Sequence, residues 1–258
     1  MSTFLFDEII FGPVKSRRLG VSLGINLLPN NSKFCNFNCI YCECGWTKDK
    51  QEKQNFHDKN VVISELENKL TEMAENNLVP DVITFAGNGE PTLHPNFAEI
   101  IDKTIEIRNR IFPNADIAVL SNSTMLHKEK VFEALSKIEQ NILKLDSAFI
   151  ATIKQINGPL GHYKIESVIE NFKKFEGNFI LQTMFLKGSY IGKIVDNTTE
   201  KELSAWLNLL PEIKPKQIMI YTIARDTPSD TLEKVSIEKL NNIAEKARNI
   251  GFDVQVSG

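Results

Sequence analysis

Short apolar runs alternate with amphipathic stripes along this chain, and the alternation predicts a regular succession of strands and helices. The run Val21–Leu28 reads as a first strand, ended by Pro29-Asn30-Asn31. Val62, Leu66, Leu70 and Met73 recur at helical spacing and predict a helix over about 61–77. Val82–Ala86 reads as a buried strand with Gly87-Asn88-Gly89-Glu90-Pro91 as the loop beyond it, followed by a helix over roughly 96–111. Ile117–Leu120 is a strand leading into the polar loop Ser121–Thr124, then a helix near 128–138 and the strand Ile142–Asp146. A helix over about 162–175 precedes the strand Phe179–Phe185. Leu203, Trp206, Leu207 and Leu210 mark the next helix, with Asn197 or Thr198 as its N-cap. Ile218–Tyr221 is the sixth strand, Ile237 to Ile250 the last helix, and Val254–Val256 a terminal extended piece.

Strict strand–helix alternation implies a parallel sheet with helices outside. Eight units close a full barrel, so six predict an open (βα)6 partial TIM barrel of the α/β class. No linker divides the chain, so we expect one domain over 1–258, with 1–20 as a lead-in and 33–46 as a loop after the first strand. In such folds the active site lies beyond the strand C-termini, and the polar and glycine-bearing positions cluster there.

Composition changes this picture little. The 258 residues are 42% hydrophobic and 24% charged, ordinary for a globular protein, with no apolar run long enough to span a bilayer. The first eight residues carry acids where a signal peptide carries bases, so the expected compartment is the cytoplasm. Net charge is −3, but residues 12–54 hold seven bases against three acids, +4, leaving −7 for the rest. Either a basic face meets an anionic ligand there, or the charge is solvated surface that offsets an anionic metal site.

The chemistry enters with Cys35, Cys39 and Cys42, spaced C-x3-C-x2-C. Thiolates are the usual ligands of iron–sulfur clusters, and three of them on a four-iron cubane leave one iron open to an external ligand. A structural zinc site takes four ligands, and here it would need Cys44 or His57 as well. Cys44 is separated from Cys42 by a single residue, short for chelating the same metal, and is read as a bystander. All four cysteines fall between 35 and 44, which fits a metal site in a reducing compartment better than a disulfide framework.

These cysteines, with Tyr41 before the last of them, resemble the cluster motif of the radical S-adenosylmethionine (SAM) superfamily. Gly87-Asn88-Gly89-Glu90 is similar to that family's glycine-rich loop, with Asn88 where Gly-Gly-Glu is commonest. Gly12–Gly20, the segment 87–95, Lys144-Leu145-Asp146, Gln182–Phe185 and Ile220–Arg225 resemble the branch of small iron–sulfur oxidoreductases related to wyosine-type tRNA synthases. The resemblance implies a six-unit partial barrel, a [4Fe-4S] cluster on Cys35, Cys39 and Cys42, and SAM on the open iron. It also implies an external one-electron donor such as flavodoxin or ferredoxin. Wyosine-type enzymes carry a second cluster near the N-terminus; no cysteine precedes Cys35 here, so wyosine chemistry itself is not expected.

Other residues carry paired readings. Tyr41 is core packing or an adenine contact; Gly87, Asn88 and Gly89 are a turn or a cradle for the methionine end of SAM, supported by Glu90. Ser121 and Asn122 are capping residues or cofactor contacts. Lys144 and Asp146 share one face of a strand that should look into the barrel, where ionisable groups are paired or functional; they are the catalytic candidates, and Asp146 is a cofactor candidate as well. Gln182 and Tyr221 are weaker cofactor candidates. Arg17, Arg18 and Arg225 hold an anionic substrate or lie in surface ion pairs, and His94 is a loop hydrogen-bonder. The substrate stays open among a nucleic-acid base, a peptide or protein, and a metabolite. The competing class is a non-catalytic zinc- or cluster-binding interaction protein for RNA or protein partners.

Overall fold

One curled sheet runs through the chain, and its alternating side chains separate a helix-facing layer from a barrel interior. The structure is a computed structural model that describes residues 4–47 and 56–258. Strands β1 (Ile10–Ser16) and β2 (Gly20–Ile25) form an antiparallel hairpin. Then follow α1 (Lys59–Glu75), β3 (Val82–Phe85), α2 (Phe97–Ile111), β4 (Asp116–Ser121), α3 (Glu129–Ser136) and β5 (Gln140–Lys144). The helices α4 (Ile150–Ile156) and α5 (Ile165–Lys173) precede β6 (Ile180–Met184). Next come β7 (Leu186–Tyr190), β8 (Lys193–Asp196), α6 (Glu200–Ile213), β9 (Gln217–Tyr221), β10 (Leu232–Lys234), α7 (Ile237–Arg248) and β11 (Val254–Ser257).

The main sheet has the order β1-β2-β3-β4-β5-β6-β9-β11, parallel throughout except for β1. It is the expected α/β half-barrel, with three differences. Seven parallel strands replace six, because Val254–Ser257 pairs in register with Ile218–Tyr221 instead of standing apart. A second sheet, β10-β7-β8, forms where the periodicity indicates only loops, β7 and β8 from the segment after β6 and β10 from the segment after β9. The single helix expected over 162–175 is also preceded by the separate short α4.

Period-2 alternation explains the layers. Leu23, Ile25, Ile83, Phe85, Val119, Leu143, Leu181 and Ile218 point to the helices and form the main core. Val82, Ala118, Ile142, Ile180 and Met219 point the other way and, with Leu19, make an apolar floor inside the half-barrel. One step further along the strands the inward positions become Thr84, Lys144, Gln182 and Tyr221, so the floor gives way to a polar cavity. Across the open side of the barrel, the turn of the β1–β2 hairpin reaches the opposite edge of the sheet. There Gln255 Nε2 donates to the Arg18 carbonyl at 3.1 Å. The N-terminal segment therefore bridges the first and last strands. Among the described residues, no helix is long and apolar enough to cross a membrane.

Asn141 breaks the pattern. It is fully buried in register with Val119, on the helix-facing side of β5, and neither polar atom of its side chain has a partner. An unsatisfied buried amide costs about 1–3 kcal/mol. Asn141→Leu should recover part of that and raise the thermal unfolding midpoint by roughly 2–4 °C per kcal/mol. A midpoint that falls would show the amide to be satisfied in solution.

Candidate active site

The cysteine loop is held in place by two neighbouring loops through backbone pairing. Phe34 N donates to Asn88 O at 2.8 Å and Phe34 O accepts from Glu90 N at 3.0 Å, an isolated parallel bridge between Phe34 and Gly89. On the other side Asn38 N donates to Gly158 O and Ile40 N to Ile156 O, at 3.0 and 2.9 Å. Within the loop Thr47 N donates to Asn38 Oδ1 and the buried Lys33 ammonium to Gly45 O, at 2.7 and 2.9 Å. Gly87 and Gly89 have φ of +153° and +144°, and a Cβ on Gly89 would lie 1.9 Å from the Phe34 carbonyl oxygen. Glycine is required here for close backbone approach.

Cys35, Cys39 and Cys42 all line one cavity of about 280 Å³, together with Gly87, Gly89 and Glu90. Burial pushes the Cys35 thiol up to about 12 and the Cys39 thiol up to about 11. The neighbouring Cys44, aided by Lys33, lowers the pKa of Cys42 in spite of burial. Burial works against the charge of Lys33, but the three cysteines outweigh it and its pKa is raised. Cys44 also donates to Gly87 O at 3.4 Å. Asn122 Nδ2 reaches Cys35 Sγ at 3.6 Å, and Asn157 Nδ2 reaches Cys39 Sγ at 3.4 Å.

Glu90 ties the loop after β3 to the loop after β4. Its Oε1 accepts from Thr92 N at 3.1 Å, from the Thr92 hydroxyl and from Ser121 Oγ at 2.9 Å; its Oε2 accepts from Asn122 N at 2.6 Å. Burial raises its pKa against the pull of those four donors.

Beyond β5 lies a second network. Lys144 Nζ donates to the Tyr41 and Tyr221 hydroxyls at 2.9 and 2.8 Å and stands 3.7 Å from Asp146 Oδ1. Tyr41 also donates to Asp146 Oδ2, which accepts from Asn157 Nδ2 at 2.6 Å, while Asp146 Oδ1 takes Met184 N at 2.9 Å. Burial alone would strip the charge from Lys144, but Asp146, Tyr221 and Cys39 outweigh it and hold its pKa above that of an ordinary lysine. Burial, then Asp146, keeps the Tyr41 phenol protonated.

The structure thus gathers Cys35, Cys39, Cys42, Tyr41, Gly87, Gly89, Glu90, Ser121, Asn122, Lys144, Gln182 and Tyr221 around one cavity. Two candidates stand behind its wall. Asn88 is fully buried and turned to the N-terminal segment, its Oδ1 accepting from Phe6 N and its Nδ2 donating to Phe6 O and Pro29 O. Asp146 is likewise buried and acts on Tyr41, Lys144 and Asn157. Arg225 pairs at the surface with Glu43, and Arg17 is exposed. His94 hydrogen-bonds His57 O and Asn96 N, as expected of a loop residue. Of the basic stretch over 12–54, Lys48, Lys50 and Lys53, with Asp49 and Glu52, lie outside the described residues. Residue-by-residue reading missed Lys33 and Asn157. The one signal for Asn157 was its place ahead of Gly158-Pro159, a turn that could return to another loop.

Removing the amide at Asn157 removes an N–H donor from Cys39 sulfur. Donors to cluster sulfurs stabilise the more negative, reduced state. If Cys39 carries a cluster, Asn157→Leu should therefore keep its iron and show a reduction potential more negative than wild type in an EPR-monitored redox titration. An unchanged potential would show that this bond does not form in the loaded protein.

Comparison with known proteins bears on the same segment. The family model described as Radical SAM superfamily matches residues 31–196, which include the cysteine loop, the glycine loop and the β5 network. The chain belongs to the radical SAM superfamily. It is 30% identical over 240 residues to a UPF0026 protein of Methanocaldococcus jannaschii, covering 91% of this chain and 70% of that one. It is also 30% identical over 253 residues to a Brachyspira hyodysenteriae protein named GTPase Obg, with 95% of this chain and 35% of that protein covered. The chain thus spans about a third of that relative's length. Among solved structures, a radical SAM methyltransferase from Sphaerobacter thermophilus superposes with a TM-score of 0.67 at 14% identity, over 92% of this chain and 65% of that one. TYW1 with a lysine-pyruvate adduct bound gives a TM-score of 0.62 at 15% identity, over 88% and 73%. Both likenesses are of fold.

Proposed function

We propose that Cys35, Cys39 and Cys42 hold one [4Fe-4S] cluster and that the adjoining cavity takes SAM on the iron without a cysteine. The observation that carries this is the opening of three cysteine thiols, two buried and one half-buried, and the Gly87–Gly89 backbone onto a single cavity. The donor set fits. Among the described residues, no three His, Cys, Asp or Glu side chains converge closely enough for a single metal ion, which disfavours zinc, whereas a cubane spreads its thiolates over separate irons. When bound, cluster and SAM supply a 5′-deoxyadenosyl radical and methionine by one-electron cleavage, and the radical abstracts hydrogen from substrate.

The chain's own residues position and enclose. The backbone at Gly87 and Gly89 faces the methionine end of SAM without an intervening Cβ. Glu90, its lone pairs taken up by Thr92, Ser121 and Asn122, holds the two loops rather than the ligand. Tyr41 and Tyr221 provide aromatic wall, with Lys144 between their hydroxyls, and the Val82–Met219 floor excludes water. Asp146 orients Tyr41 and keeps Lys144 charged. For that reason we assign Lys144 an electrostatic role, and not formation of an imine of the kind a lysine-pyruvate adduct suggests. An external flavodoxin or ferredoxin would deliver the electron, in the cytoplasm. Anaerobically reconstituted, reduced protein should convert SAM to 5′-deoxyadenosine and methionine. A colourless, zinc-loaded protein that leaves SAM intact would refute the proposal.

A further inference from the structure

Arg18 is a cation in the cavity wall with no carboxylate partner among the described residues. Its position is fixed twice. Its carbonyl accepts from Gln255, and its guanidinium carbon sits 4.7 Å from the centre of the Tyr221 ring. Its Nη1 is nevertheless buried without a hydrogen-bond partner among the described residues. The other charges of the cavity are accounted for. Lys144 has Asp146, Lys33 has the cysteines and Gly45 O, Glu43 has Arg225, and Glu90 has four donors.

A second orphan faces the same space. Gln182 is 96% buried, since 4% of it is exposed; it lines the cavity, and its Nε2 has no partner among the described residues. Met184 pairs with Tyr221 in the β6–β9 ladder, so Gln182 is a diagonal neighbour of the ring on which Arg18 stacks. A guanidinium N–H and a primary amide N–H, both dry and unpaired, both need an acceptor. An arginine so placed is suited to a carboxylate or phosphate.

We propose that Arg18 and Gln182 form a subsite for an oxyanion, carboxylate or phosphate, carried by a small substrate. The proposal rests on the cluster and SAM reading, which places the SAM carboxylate beside the cysteine and glycine loops. Arg18 is held instead against β9 and β11, at the far edge of the sheet. The cavity, about 280 Å³, is at the lower end of the range of small-molecule sites, so the group carrying the oxyanion belongs to a small molecule. The hairpin turn that closes the open side of the barrel thereby also selects what enters it.

The test uses reconstituted, unreduced protein saturated with SAM, titrated calorimetrically at low ionic strength with inorganic phosphate and, separately, with acetate. Wild type should bind at least one of them, and the tighter one identifies the source of the oxyanion. Arg18→Met should weaken that binding at least tenfold with SAM affinity unchanged by equilibrium dialysis, and Gln182→Leu should weaken it less. Should Arg18→Met not fold, Arg18→Lys, which keeps the charge but not the planar fork, carries the comparison and should also weaken binding. The subsite is overturned by wild type that binds neither anion, by variants that bind as wild type does, or by an Arg18 variant that loses SAM instead. Wild type that fails to bind SAM at all refutes the underlying reading, and the dialysis control detects that separately.

Discussion

Cys39→Ala is expected to abolish cluster binding while leaving the protein folded. The loop around Cys39 is shaped by backbone bonds, from Asn38 to Gly158 and from Ile40 to Ile156, that need no thiol. Its side chain is buried against Asn157 and the cavity, so an alanine removes one sulfur and little packing. Two remaining thiolates cannot hold a cubane. Iron should fall from about four per chain to well below one, the visible absorbance should vanish, and 5′-deoxyadenosine formation should drop to background. Cys44→Ala makes the decisive contrast. Its thiol is engaged with Gly87 O and Cys42, and its loss should spare the iron. Iron lost equally from both variants would mean four thiolate ligands, and the open-iron reading would fail.

Much of this was legible in the chain because it is local. A parallel strand buried on both faces is a short apolar run, and each of the six runs became a strand within a few residues of its expected bounds. The cysteine and glycine loops follow strand ends, so their sequence spacing translates directly into proximity. The Leu-Lys-Leu-Asp alternation placed Lys144 on the inner face.

What was not legible depends on partners remote in sequence. Strand β11 is four residues long and gains its identity only from β9. The β7–β8 hairpin has Lys187, Lys193 and an exposed tip at Ile191, so it shows little alternation. Asn88 reads as part of a cofactor loop, but its amide direction is set by Phe6, 82 residues away. Arg18 enters the site only because a hairpin turn crosses to the far edge of the sheet, and periodicity holds no record of that.

Gly89→Ala should unfold or empty the site more thoroughly than any side-chain deletion in it. Three costs combine there. The backbone sits at φ +144°, a region L-residues rarely adopt and that costs about 1–3 kcal/mol. A Cβ would overlap both the Phe34 oxygen at 1.9 Å and its carbonyl carbon at 2.5 Å, which are backbone atoms that cannot rotate aside. Relieving the overlap means parting the two loops, with loss of the Phe34–Asn88 and Glu90–Phe34 hydrogen bonds, each about 0.5–1.5 kcal/mol. Several kcal/mol is a large share of the roughly 5–15 kcal/mol that holds a domain together. Gly251→Ala separates the terms, since Gly251 has φ +97° but nothing within 4 Å of an added Cβ. It should show the conformational cost alone, with full iron content. Chemical denaturation and iron analysis of both variants distinguish the outcomes. If Gly89→Ala loses no more stability than Gly251→Ala and keeps its iron, the glycine loop is not the clamp that sets the cysteine loop in place.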